Sequence, residues 1–107
     1  MKEITVEELK KKIDSKEPFL LLDVRESFEA HISSVDTDDS VLIPVDDIGN
    51  RTQEIDKSKE IIVMCRSGKR SAKACKILEE NGFPNVANLK GGINEWALKI
   101  DPSLPQY

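Results

Sequence analysis

Histidine, cysteine and aromatic residues are scarce in this chain of 107 residues, which has one His, two Cys, one Trp, one Tyr and three Phe. One His and two Cys do not make a metal-ligand set, so no metal site is expected. Cys65 and Cys75 form neither a CxxC redox pair nor a disulfide framework, and free thiols in a reducing, cytoplasmic setting are expected. No apolar run approaches the roughly 18 residues a membrane helix needs. The opening Met1-Lys2-Glu3-Ile4-Thr5-Val6-Glu7-Glu8 carries acids where a signal peptide needs an apolar stretch. Neither export nor membrane insertion is expected. A basic excess is missing too: 16 Lys and Arg stand against 20 Asp and Glu, a net charge of −4, which leaves nucleic acid no electrostatic footprint.

What remains is an ordinary globular composition, 38% hydrophobic and 34% charged. The length suits one domain over residues 1–107 with one core and one site. No repeat or linker interrupts it, and Asp36-Thr37-Asp38-Asp39-Ser40 reads as an exposed acidic loop.

Two short continuous apolar runs set the fold class. Phe19-Leu20-Leu21-Leu22 before Asp23, and Ile61-Ile62-Val63-Met64 before Cys65, suit strands covered on both faces, as in a parallel sheet. Val41-Leu42-Ile43, stopped by Pro44, and Val86-Ala87-Asn88-Leu89, stopped before Gly91-Gly92, are further strand candidates. Thr5-Val6-Glu7-Glu8 is a capping-box pattern opening a helix over about 6–14, where Val6, Leu9 and Ile13 share a face. Further helices are expected near 46–55, 69–81 and 93–99. The second of these places Ala72, Ala74, Cys75 and Leu78 inward and stops at Asn81-Gly82. Strands alternating with helices predict a three-layer α/β/α fold with a mostly parallel sheet.

In such sheets the ligand crevice lies beyond the carboxyl ends of the strands, which is where Cys65 falls. The segment Cys65-Arg66-Ser67-Gly68-Lys69-Arg70-Ser71 places a thiol between a buried strand and a helix N-terminus, where backbone N–H groups and the helix dipole favour an anion. Gly68 permits tight curvature, Arg66, Lys69 and Arg70 add positive charge, and the hydroxyls of Ser67 and Ser71 can donate. An unperturbed thiol, with a pKa of about 8.5, is only a few per cent thiolate at pH 7, and such surroundings push it toward the nucleophilic form. Cys75, on the apolar face of a helix, is expected to be core.

The residues also carry a family resemblance. The segment from Cys65 to Ser71 resembles the active loop of rhodanese-like sulfurtransferases. Leu21-Leu22-Asp23-Val24-Arg25-Glu26 resembles their first conserved strand, and Leu89-Lys90-Gly91-Gly92-Ile93-Asn94-Glu95-Trp96 their closing segment. The ending Trp96 to Tyr107, with Leu42-Ile43-Pro44-Val45, is similar to the rhodanese-like domain fused to adenylyltransferases of molybdopterin and thiamine biosynthesis. The resemblance implies a thiosulfate sulfurtransferase-like enzyme. Cys65 would take sulfur from a small anionic donor as a persulfide, with no other cofactor, and pass it to a thiol, cyanide or an activated carboxylate. Partners would include a ubiquitin-like sulfur carrier protein or an adenylyltransferase domain. Arg70 and the amides of 66–71 would hold the anion, Arg66 and Lys69 would bias the entrance, and Asp23 and Arg25 would form a supporting ion pair.

Two other readings stay open: a catalytically silent interaction module, and a phosphatase on the same fold. Cys65 to Arg70 is a CX4R spacing, whereas the related phosphatases use CX5R, and the shorter loop favours sulfur over phosphate. Ser27, and Ser33-Ser34-Val35-Asp36, depart from the family pattern at the pocket rim. His31 could serve as a general base, but a stabilised thiolate needs none, and a place in a short helix is the expectation. Trp96 is expected in the core with Ile93 and Ile100, and Tyr107 docks either on the domain or on a partner.

Overall fold

The computed structural model describes residues 1–107. Five strands form a wholly parallel sheet: β1 (Lys2–Ile4), β2 (Leu20–Asp23), β3 (Ser40–Leu42), β4 (Ile61–Met64) and β5 (Val86–Leu89), in the spatial order β1-β5-β4-β2-β3. Register is regular, with Leu22 beside Val63 and Val63 beside Asn88. Four helices cover it: α1 (Val6–Asp14), α2 (Ser27–Ile32), α3 (Lys69–Glu80) and α4 (Gly92–Lys99). No helix is long and apolar enough to cross a membrane.

The apolar runs are continuous because both faces of the sheet are covered. Leu20, Leu22, Ile61 and Val63 point to a core shared with Ala74, Cys75 and Leu78 of α3. Their neighbours Leu21, Ile62 and Met64 point to a second core with Val6 and Leu9 of α1 and Ile93 and Trp96 of α4. Alternation along a strand thus feeds two layers at once, as the period of two requires. Trp96 and Cys75 are core residues, as expected.

The capping box of α1 is present: Glu8 N–H donates to Thr5 Oγ1 at 3.1 Å and Thr5 N–H to Glu8 Oε1 at 3.1 Å. At the end of α3, Asn81 Nδ2 donates to the Ile77 carbonyl at 2.7 Å and Gly82 takes a positive φ of 83°. The acidic segment at 36–40 lies mostly exposed, with Asp39 paired to Lys59 at 2.7 Å.

Two elements differ from the sequence reading. β1 was not anticipated, since Lys2-Glu3-Ile4 has no apolar run and buries only Ile4; its pairing with β5 supplies what its own pattern lacks. The helix expected at 46–55 is instead two 3-10 segments, Val45–Asn50 and Thr52–Glu54, parted at Arg51. Asp46, Asp47, Gly49 and Asn50 are poor helix formers, and the buried residues Val45 and Ile48 are three apart, the spacing that stacks side chains in a 3-10 turn.

Candidate active site at the end of the central strand

Cys65 follows directly on β4, the central strand, and its side chain is 1% exposed at the floor of the loop that leads into α3. Gly68 N–H donates to Cys65 Sγ at 3.0 Å, and the Ser71 hydroxyl lies 3.3 Å from the same sulfur. Gly68 caps α3 with φ 106°, a left-handed conformation that glycine adopts without strain. Its carbonyl is turned outward, accepting from Asn88 Nδ2 at 3.1 Å and from Ala72 N–H at 3.1 Å.

The loop faces its N–H groups inward because its first carbonyls are taken by α4. Ile93 N–H donates to the Cys65 carbonyl at 3.0 Å and Asn94 N–H to the Arg66 carbonyl at 3.1 Å. This contact leaves no room for a side chain at residue 92. A Cβ on Gly92 would stand 2.4 Å from the Arg66 oxygen and 2.5 Å from the Cys65 oxygen, and Gly92 itself has φ 61°. Gly92 is therefore a packing requirement of the Cys65 loop, imposed by a helix that follows later in the chain.

Burial alone would raise the Cys65 thiol pKa. The Ser71 hydroxyl and the N–H groups of Ser71, Gly68 and Ser67 outweigh it, so that the thiol lies below its ordinary value. Cys75 has no such donors, and burial pushes its thiol up to about 12. The two buried thiols are thus shifted in opposite directions.

Around the loop lies a charge network. Arg25 is fully buried, and all five of its guanidinium N–H groups find acceptors. Nε donates to Asp23 Oδ1 at 2.9 Å and Nη2 to Asp23 Oδ2 at 2.7 Å. The others reach the Ser33 carbonyl at 2.9 Å, the Glu29 carbonyl at 3.3 Å and the Tyr107 hydroxyl at 2.9 Å. Asp23 and Arg25 are thus brought together as a buried pair, and neither bonds to Cys65.

The Arg70 fork, expected on a bound anion, is instead closed on Glu29, with two N–H···O bonds of 2.7 Å. Arg70 is the first-turn residue of α3 whose side chain meets α2, and there a 6%-exposed carboxylate awaits it. The Arg70 hydrogen bonds hold the Glu29 carboxyl down at about 2, helped against burial by Glu26 N–H and the Tyr107 hydroxyl. Arg66, Ser67 and Lys69 have exposed side chains on the rim, and the Arg66 guanidinium lies 5.9 Å from the Tyr107 ring centroid. Tyr107 is pinned through its backbone by Asn94, with bonds of 2.9 and 3.2 Å, so that it docks on the domain itself. His31 is exposed on α2, away from these bonds.

Sequence reasoning missed Glu29, and it named Tyr107 without its place beside the Cys65 loop. For Glu29 the only local sign was its place three residues after Glu26 at the start of a short helix; for Tyr107 docking was foreseen, but nothing local pointed to Arg25 and Glu29 as its partners.

A family model described as "Rhodanese-like domain" matches residues 5–99. This chain belongs to the rhodanese-like family. A sulfurtransferase of Allochromatium vinosum is 38% identical over 95 residues, covering 89% of this rhodanese-like chain and 87% of that one. The maize protein named adenylyltransferase and sulfurtransferase MOCS3-2 is 32% identical over 109 residues, which cover 97% of this chain but 23% of that protein. The crystal structure of a rhodanese-like domain protein from Staphylococcus aureus superposes with a TM-score of 0.81 at 34% identity, covering 90% of this chain and 91% of that one. The match to an adenylyltransferase-fused subgroup thus broadens: rhodanese-like chains of both kinds are similar to this one.

The geometry generates two expectations. Ser71→Ala removes a donor to the sulfur, so the midpoint of Cys65 alkylation by iodoacetamide against pH moves upward; an unmoved midpoint contradicts the assignment. Glu29, whose folded value lies below its unfolded one of about 4.5, adds stability that is present above that value and lost as pH falls toward 2. That contribution is at most about 3 kcal/mol, less the screening that the one-third-exposed Arg70 admits. The stability gap between the unmodified protein and Glu29→Gln, from urea melts, is therefore wide at pH 7 and narrow at pH 2.5. Equal gaps at both pH values would contradict it.

Proposed function

We propose that this rhodanese-like chain is a persulfide sulfurtransferase and that Cys65 carries the sulfur. The observation that supports it most is the sulfur's own setting: a buried Sγ at the end of the central strand that receives N–H and O–H donors instead of facing a base. Thiolate made by such donors attacks the outer sulfur of a sulfane donor. With thiosulfate, the Sγ–S bond forms as the S–S bond of the donor breaks, and sulfite leaves with that electron pair. Cys65 then carries a persulfide. In the second half, cyanide attacks the outer sulfur, thiocyanate forms, and the Cys65 thiolate is regenerated. Splitting the transfer at a covalent intermediate replaces one difficult displacement with two easier ones.

Five loop residues have a part beside Cys65. The N–H groups of Ser67, Gly68 and Ser71, with the Ser71 hydroxyl, hold the thiolate, and after transfer the terminal sulfur. Arg66 and Lys69 on the rim attract negatively charged donors, a contribution that salt weakens. Asp23 and Arg25 fix the turn from β2 to α2 beneath the site. For the acceptor in a sulfur relay, the chemistry suits the adenylated C-terminus of a small ubiquitin-like sulfur carrier protein. The likeness to a maize protein whose name joins adenylation to sulfur transfer supports that acceptor class.

Intact mass after incubation with excess thiosulfate tests the reading. The unmodified protein gains about 32 Da, one persulfide sulfur, Cys65→Ser gains nothing, and cyanide removes the mass as thiocyanate. A folded protein that shows no adduct would count for an interaction module, and hydrolysis of an aryl phosphate by that protein for a phosphatase.

A further inference from the structure

The side chains beneath and beside the Cys65 loop are electrically balanced. Asp23 is matched by Arg25 at 2.7 Å, and Glu29 by Arg70 at 2.7 Å twice over. The second pair is built to persist. Glu29 is held by Glu26 N–H at 2.8 Å and by the Tyr107 hydroxyl at 3.0 Å, and that hydroxyl in turn accepts from buried Arg25 at 2.9 Å. Tyr107 is itself fixed by both backbone bonds to Asn94. The one half-buried cation of the loop is thus matched by a carboxylate that cannot easily leave it. The remaining cations, Arg66 and Lys69, are exposed and screened.

An anion entering this pocket therefore meets backbone and hydroxyl dipoles but no unmatched buried charge. The cost of taking an ion out of water rises steeply with its charge, and dipoles offset it for one charge far better than for two. We propose that Glu29 is a specificity-determining residue: by matching Arg70, it sets the pocket for neutral or singly charged persulfide donors over dianionic donors such as thiosulfate. Tyr107 is a positioning residue, acting through Glu29. With a donor RS–SH, the Cys65 thiolate attacks the outer sulfur, the Sγ–S bond forms, and RS⁻ leaves with the electron pair of the broken bond. The proton stays on the transferred sulfur or passes to water, and no further reactant is needed.

This inference deepens the sulfurtransferase reading, and its first readout does not depend on that reading. Protection of Cys65 from iodoacetamide by sulfate, at fixed ionic strength and pH 8, reports the affinity of the pocket for a dianion whether or not sulfur is transferred. Glu29→Gln lowers the half-protecting sulfate concentration by about tenfold, the scale of one charge-assisted hydrogen bond. Adding Arg70→Ala to Glu29→Gln returns it to near the starting value. Tyr107→Phe shifts it the same way by a smaller factor of about two to three. In transfer assays, the ratio of kcat/KM for thiosulfate to kcat/KM for the persulfide of 2-mercaptoethanol, which is neutral or singly charged, rises in Glu29→Gln by a similar factor. A cooperatively melting Glu29→Gln protein whose sulfate protection and donor ratio do not move overturns the proposal, as does a gain that survives loss of Arg70. If Glu29→Gln does not fold, Tyr107→Phe decides by the same measurement, and no shift overturns it. Absence of any persulfide on the unmodified protein would instead remove the sulfurtransferase reading and leave the anion data standing.

Discussion

Two peptide groups, those joining Cys65 to Arg66 and Arg66 to Ser67, are turned so that their carbonyls meet the first N–H groups of α4. That orientation fixes the start of the loop from which Ser67, Gly68 and Ser71 reach the Cys65 sulfur. A helix N-terminus has unpaired donors, and a strand-to-helix loop has unpaired carbonyls; here each satisfies the other. The rest of the loop is then free to aim its N–H groups at the sulfur. The contact is possible only because residue 92 has no side chain, since any Cβ there would overlap the backbone of Cys65 and Arg66. A packing constraint at one place thereby becomes a chemical property at another, through geometry rather than through charge.

Charge has a separate task. The guanidinium of Arg25 could not be buried without acceptors for all its donors, and it collects them from β2, α2, the segment after α2 and Tyr107. Breaking up such a fully satisfied cation is costly, so it fixes the position of those four segments around the loop. Glu29 and Arg70 extend the network to the first turn of α3. The surroundings of the loop are thus paired charge by charge, while the sulfur itself is met by N–H and O–H donors.

Much of this could be read from the residues. The apolar runs before Asp23 and Cys65 announced strands covered on both faces, Thr5 and Glu8 announced a helix start, and Cys65 to Ser71 announced a loop that gathers donors around a thiol. Cys75 at helical spacing with Leu78 announced a core thiol. What could not be read has a common cause, which is dependence on distant partners. β1 exists because β5 offers it an edge, and the segment after Pro44 winds as 3-10 turns because Val45 and Ile48 must reach the same core. Arg70 and its carboxylate are 41 residues apart, and Arg25 and Tyr107 are 82 apart, distances at which local periodicity carries no signal. The reach of Arg70 toward an anion was inferred from its place in the loop; its fork was claimed by a helix the loop sequence says nothing about.

The most direct test of the central claim is the alkylation profile of Cys65 against pH in Gly92→Ala, alongside a circular dichroism melt to show that the variant is folded. If the α4 contact orients the loop, a folded Gly92→Ala protein loses its inward N–H donors, and the midpoint of Cys65 alkylation rises toward that of an ordinary thiol. A folded variant whose midpoint stays where it was would show that the sulfur is tuned by something other than the loop amides, and would contradict the account.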